Sequence, residues 1–197
     1  MKGEAPQRLQ FDDDLSRALA KGDILTKREI LERLKSPEPL IRGYIDLASQ
    51  LQPAGFELTV GEVGRFEGRG ALDSTNTNRR LPSLSRMEFG EGERLELNAG
   101  AYLVRYNEVV CLPLDLLALL FPRSSLLRSG ATIYTAVWEP GYVGRGQGLL
   151  FVHNPWGLEL FKNARIGQLV FMRLKEPVSE GYSGAYMGEG LQGGESR

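Results

Sequence analysis

The stretch Thr132-Ile-Tyr-Thr-Ala-Val-Trp-Glu-Pro-Gly-Tyr-Val-Gly-Arg-Gly-Gln-Gly-Leu-Leu-Phe-Val-His-Asn154 reads as strand, turn, strand. Thr132–Trp138 is rich in β-branched and aromatic residues, Pro140-Gly141 is a tight-turn pair, and Leu149–Asn154 resumes an apolar run. Outward from this stretch the same pattern repeats. Phe56–Val60, Gly64–Arg69, Arg94–Leu97, Ala101–Glu108, Cys111–Leu114, Leu158–Phe161 and Leu169–Leu174 are short candidate strands between Gly, Pro and Asn turns. Leu116–Leu120 reads as a single helical turn. Many short strands with regular turns predict a mainly β fold, a distorted jelly roll or barrel.

Before Gly55 the pattern differs. Only Gly3, Gly22 and Gly43 of the 24 glycines fall in residues 1–52. Thr26-Lys-Arg-Glu29 has the spacing of a capping box, with Leu25 and Ile30 placed as a hydrophobic staple. Ile30, Leu31 and Leu34 form the apolar stripe, and Pro37 and Pro39 end the helix. A further short helix is expected through Leu40–Leu51. Leu15, Leu19 and Ile24 give a weaker amphipathic pattern. Past Pro177 the chain is Gly-rich without an apolar repeat, which by itself reads as a disordered end. The expected division is an extension over 1–24, a β domain with leading helices over 25–177, and a flexible Gly-rich C-terminal lid over 178–197.

The 197 residues suffice for one domain with its own core, and 42% hydrophobic with 25% charged residues is an ordinary globular mix. Lys+Arg is 24 against Asp+Glu 25, so nucleic acid is not expected to be held by phosphate neutralisation. One cysteine (Cys111) and one histidine (His153) exclude a His/Cys/Cys zinc site and an intramolecular disulfide. His153, beside the Asn154-Pro155 turn, reads as structural. The most apolar run, Val109 to Phe121, is too short to span a bilayer and is broken by Pro113 and Asp115. Met1–Asp14 is polar and acidic, unlike a secretory signal, so a soluble cytoplasmic protein without membrane partners is expected.

Five stretches can carry chemistry. In Phe121-Pro-Arg-Ser-Ser-Leu-Leu-Arg128 the forked donors of Arg123 and Arg128 and the hydroxyls of Ser124 and Ser125 suit phosphate oxygens; a helix start capped by one serine fits the spacing equally well. In Trp138-Glu-Pro-Gly-Tyr-Val-Gly-Arg145 a hairpin tip presents Glu139, a possible base on water, beside the Tyr142 ring; a hairpin that merely carries a glutamate is the plainer alternative. Ala54-Gly-Phe-Glu-Leu-Thr-Val60 sets Glu57 within an apolar strand, as an edge charge or a ligand. Arg165-Ile-Gly-Gln-Leu-Val-Phe171 sets Gln168 beside Gly167. The polar, basic loop Asp73–Arg80 has the residues to touch phosphate, with a plain solvated loop as the default reading.

Taken in sequence order, from Ala54-Gly-Phe-Glu-Leu58 through Pro122-Arg-Ser-Ser-Leu126, Trp138–Gly144 and Ile166-Gly-Gln-Leu169 to the Gly-rich tail, the segments resemble the motifs of the trimeric dUTPase and dCTP deaminase superfamily, from about Leu25 to Gly190. The Leu25–Leu34 helix and Arg123-Ser-Ser-Leu-Leu-Arg128 place the resemblance nearest the dCTP deaminase branch and the archaeal dUTPases built on it. The resemblance implies a β-clip type jelly roll and a homotrimer with sites between subunits. It implies hydrolysis of dUTP to dUMP and pyrophosphate, with Glu139 activating the water. Arg123, Ser124, Ser125 and Gln168, with Arg128, would hold phosphates; Tyr142 would lie under base and sugar; Tyr182 and Tyr186 would close the tail over the nucleotide. Mg²⁺ would bridge the phosphates, with Glu57 meeting it through water. Two departures stand out. Glu57 and Glu139 replace the family's usual aspartates, and no carboxylate occurs between Glu139 and Glu159, where deaminases of this family place their proton-shuttling glutamate. Loss of deamination is therefore expected. A dCTP deaminase, alone or bifunctional, and a non-catalytic nucleotide-binding trimer are the alternatives.

Overall fold

A computed structural model describes residues 23–191 of the chain. The expectations for Leu15 and Leu19, and for nearly all of residues 1–24, lie outside the described residues. The chain runs α1 (Lys27–Leu34), β1 (Ile41–Arg42), α2 (Leu47–Gln50), β2 (Leu51–Gln52), β3 (Gly55–Glu67), β4 (Ser83–Met87), β5 (Arg94–Leu97) and β6 (Gly100–Tyr106). It continues β7 (Val109–Cys111), β8 (Leu116–Pro122), α3 (Ser124–Arg128), β9 (Ala131–Tyr134), β10 (Val143–Gly144), β11 (Gln147–Val152), β12 (Leu158–Phe161) and β13 (Arg165–Arg173).

The protein is mainly β, as its turn pattern predicts. The largest sheet has the order β8-β13-β3-β6-β11-β9, with β2 and β4 also pairing with β3. Its two edges meet: Ala118 of β8 and Trp138, just past β9, exchange both backbone hydrogen bonds at 3.0 Å. The sheet is thus nearly closed on itself, which removes most of its unpaired edge. Smaller sheets, β1-β7-β10 and β5-β12, flank it. Inward residues alternate as a half-buried strand requires. Tyr102, Val104 and Tyr106 of β6 and Leu150 and Val152 of β11 are all buried.

Thr26 and Glu29 form the expected capping box, and Leu25 and Ile30 are fully buried beside it. Burying each such side chain contributes about 1.5–3 kcal/mol. Elsewhere the structure corrects the expectations. Leu116–Leu120 is not a helical turn but part of β8, paired antiparallel with β13 from Leu116↔Arg173 to Pro122↔Gly167. Leucine's helical preference, a few tenths of a kcal/mol, yields to that pairing. Leu40–Leu51 is not one helix: β1 pairs with β7, and only the four residues of α2 are helical, capped by Asp46. Phe56–Val60 and Gly64–Arg69 merge into the single 13-residue β3.

Candidate functional site

The residues singled out by the sequence gather in two separate cavities. The first, about 390 Å³, is lined by Glu57, Phe121, Pro122, Arg123, Ser124, Gln168 and Val170. β3 and β13 set Glu57 directly opposite Gln168, and β8 delivers Arg123 just past its end. The Glu57 carboxylate is nearly buried between two guanidinium groups, with Arg123 Nε donating to Oε1 at 2.6 Å and Arg165 Nη1 lying 2.9 Å from Oε2. Gln168 Nε2 donates to the Ala54 carbonyl at 3.3 Å, lying across Gly55. A Cβ on Gly55 would stand 2.6 Å from the Leu169 backbone carbonyl oxygen, which cannot move aside as a side chain could, so the motif needs a glycine there. Arg123 occupies the N-cap of α3 without a side-chain cap bond. The hydroxyls of Ser124 and Ser125 are therefore not spent on capping. Ser125 and Arg128 are exposed on α3, outside the lining of this cavity.

The second cavity, about 400 Å³, is lined by Trp138, Glu139, Tyr142, Gln147, Tyr182, Tyr186 and Glu189, among others. Glu139-Pro-Gly-Tyr142 is a type II turn: the Tyr142 N–H donates to the Glu139 carbonyl at 3.1 Å and Gly141 has φ +83°. It is not the tip of a hairpin, because Trp138 bridges β8 while β10 pairs with β7. The turn crosses from one sheet to another and leaves Glu139 exposed.

The C-terminal segment lies over this turn. Tyr182 N–H donates to the Pro140 carbonyl at 2.7 Å, and the Tyr182 ring meets Tyr142 edge-on at 5.9 Å. Gly188 N–H donates to the Val143 carbonyl, and Arg145 N–H to the Glu189 carbonyl, both at 2.8 Å. The Tyr142 hydroxyl donates to Glu189 Oε1 at 2.9 Å, leaving Tyr142 5% exposed. Burial pushes the Glu189 carboxyl above its ordinary range and, with the Glu189 charge, pushes the Tyr142 phenol up as well.

The two cavities share no lining residue. A groove about 330 Å³ in volume shares Phe121 and Pro122 with the first and Ala136 and Val137 with the second. His153 is exposed, its ring 4.4 Å from that of Phe151, and lines neither cavity. The 73–80 loop closes on itself through Asp73, which accepts from Asn78 N–H at 2.8 Å, and likewise lines neither. Among the described residues no group of three or more His, Cys, Asp or Glu side chains gathers. Glu57, expected to meet a metal ion through water, has both oxygens against guanidinium groups. These residues do not fit a protein-held divalent ion.

Sequence reasoning passed over Arg165 and Glu189. Arg165 opens the Arg165–Phe171 stretch, and a register shift between Arg165 and Gly167 brings it to Glu57. Glu189 lies in a glycine-rich run with no periodicity to mark it.

A nearly closed β sheet with an arginine-lined cavity at one strand end and a tyrosine-lined cavity at a turn defines the class. Residues 24–174 match the family model described as dCTP deaminase-like. The chain is 45% identical over 166 residues to the probable deoxyuridine 5'-triphosphate nucleotidohydrolase of Methanosarcina mazei, covering 84% of this chain and 97% of that protein. It is also 45% identical over 161 residues to the protein of that name from Archaeoglobus fulgidus, covering 82% and 94%. The crystal structure of 2'-deoxycytidine 5'-triphosphate deaminase from Agrobacterium tumefaciens shares the fold, with TM-score 0.59 at 19% identity over 77% of this chain and 48% of that one. The chain belongs to the dCTP deaminase-like family.

Proposed function

We propose that the protein is a dUTP diphosphatase that hydrolyses dUTP to dUMP and pyrophosphate. The observation that carries this reading is the 45% identity, along 84% of the chain, to a protein named for that activity. The site supports hydrolysis over deamination. Ten residues past Glu139, β11 carries Leu149, and no residue of Gln147–Val152 is acidic. A deaminase without a carboxylate at that place lacks its proton shuttle.

In this reading Arg123 and Ser124 bind phosphate oxygens in the first cavity, with Gln168 turning from the Ala54 carbonyl and with Ser125 and Arg128 reaching in from α3. The magnesium chelate of dUTP is the substrate, so the ion arrives on the phosphates. Glu139 takes a proton from water as it attacks the α-phosphorus, and pyrophosphate leaves. Tyr142 supports base and sugar, while Tyr182 and Tyr186 cover the bound nucleotide. Glu139 and Arg123 line different cavities of one chain, so a homotrimer that sets one subunit's first cavity against another's second completes the site. The exposed Phe121, Tyr134 and Val137 along the intervening groove support such an association.

The test is a panel of deoxynucleoside triphosphates with Mg²⁺, followed for pyrophosphate and for ammonia. Pyrophosphate from dUTP alone, with no ammonia from dCTP, is the expected result. Ammonia from dCTP would establish a deaminase, and neither product a nucleotide-binding protein.

A further inference from the structure

β13 carries a bulge where it crosses the first cavity. Gln168 pairs with Glu57 and Arg165 pairs with Thr59, so three steps along β13 match two along β3. Residues directly opposite share a face of a sheet, as do residues two apart on one strand. The bulge therefore brings Arg165, Gln168 and Glu57 to one face; in a regular strand Arg165 and Gln168 would lie on opposite faces.

Among Glu57, Arg123 and Arg165 the charges do not cancel; Asp46, which also feels Arg165, is exposed at the start of α2 and outside the cavity lining. Glu57 supplies one negative charge, its side chain 7% exposed, and Arg123 and Arg165 supply two positive ones. Arg123 spends Nε on Glu57 Oε1 and one Nη1 hydrogen on the Arg165 carbonyl at 3.2 Å. Three of its five N–H donors remain for the cavity it lines with Ser124 and Gln168. Arg165 stands behind, outside the lining, anchored by its Nη1 bond of 2.6 Å to the Ser49 carbonyl.

We propose that Arg165 is a positioning residue of the phosphate site: it shares the Glu57 carboxylate with Arg123, so the cluster keeps a net positive charge while Glu57 orients Arg123. Without Arg165 the remaining pair is neutral and the cavity loses its attraction for a polyanion. This inference rests on reading the cavity as a phosphate site, but not on which nucleotide is cleaved or whether any is.

The test uses inorganic pyrophosphate binding to the full chain by calorimetry, beside the KM for Mg–dUTP. Arg165→Gln should weaken pyrophosphate binding roughly tenfold and raise KM similarly while kcat changes less. Arg165→Lys, which keeps the charge, should retain most of the affinity. The double variant Glu57→Gln/Arg165→Gln restores a net charge of +1 through Arg123 and should bind pyrophosphate more tightly than Arg165→Gln alone. A role confined to packing gives no such recovery. Unchanged affinity in a folded Arg165→Gln protein, or a double variant weaker than the single one, overturns the proposal. If Arg165→Gln does not fold, the Arg165→Lys affinity decides: a loss as large as tenfold despite the retained charge overturns it. Absence of dUTP hydrolysis, with Arg165-dependent pyrophosphate binding intact, would sink the diphosphatase reading and leave this one standing.

Discussion

At the scale of single residues, the most unusual environment belongs to Glu108. It is fully buried, yet it accepts three hydrogen bonds: from Gln50 Nε2 at 2.7 Å, from the Thr59 hydroxyl at 2.6 Å and from the Thr59 N–H at 2.9 Å. Burial raises its pKa above the ordinary 4.5, against the pull of those donors. With the folded value above the unfolded one, folding takes up a proton. This contribution to stability is complete below pH 4.5 and is lost as pH rises through the folded value. Glu108→Gln removes the titration. It also sets an amide donor against either Gln50 or the Thr59 N–H, a mismatch worth about 1–3 kcal/mol. The expected result in denaturant titrations is a deficit that is largest at acidic pH and narrows as pH rises; a widening deficit would show the opposite shift.

At the scale of elements, what could be read from the chain depended on how local its cause was. Thr26 to Glu29 is a contact across three residues, so the capping box of α1 was legible. The Pro140-Gly141 turn was legible for the same reason. β8 was not, because a run of leucines between Leu116 and Leu120 has no period long enough to separate strand from helix. β4, Ser-Leu-Ser-Arg-Met, is largely exposed and gains its order only by pairing with β3. In the site, each motif could be picked out singly. The coupling of Arg165 to Glu57 could not, since it depends on a one-residue bulge between distant strands. The C-terminal segment is the clearest case. Its glycines read as disorder, yet Gly141 and Gly181 approach so closely that a Cβ on Gly141 would lie 2.7 Å from the Gly181 Cα. Cutting the chain after Lys175 removes this segment but leaves β13 complete. The truncated protein should keep its cooperative unfolding while kcat/KM for dUTP falls at least about tenfold, through lost positioning and water exclusion. Normal turnover after truncation would reduce the segment to a cover for Tyr142.

At the scale of the whole molecule, the separation of the two cavities makes a prediction about mixtures. Glu139→Gln should lower kcat roughly 10²–10⁴-fold with little change in nucleotide affinity, because it removes only the base. Arg123→Ala should impair both binding and turnover. If the site is completed between subunits, dissociating and reassembling the two inactive variants together restores part of the activity, since some assembled sites then carry an intact Arg123 cavity and an intact Glu139 turn. Steady-state assays of the mixture against each variant alone make the check. No recovery, with mixed assemblies verified by mass, would place the complete site within one chain.

The seat of the C-terminal segment on Tyr142 has a kinetic consequence. The hydroxyl of Tyr142 is taken by Glu189 and its ring meets Tyr182 edge-on, so the segment and a stacking ligand would compete for the same side chain. If the nucleotide stacks on Tyr142 as proposed, the segment swings clear first, and capture at high ligand concentration is then limited by that internal opening rate. Such a gate filters molecules by time as well as by shape, because anything that leaves before the segment returns is never enclosed.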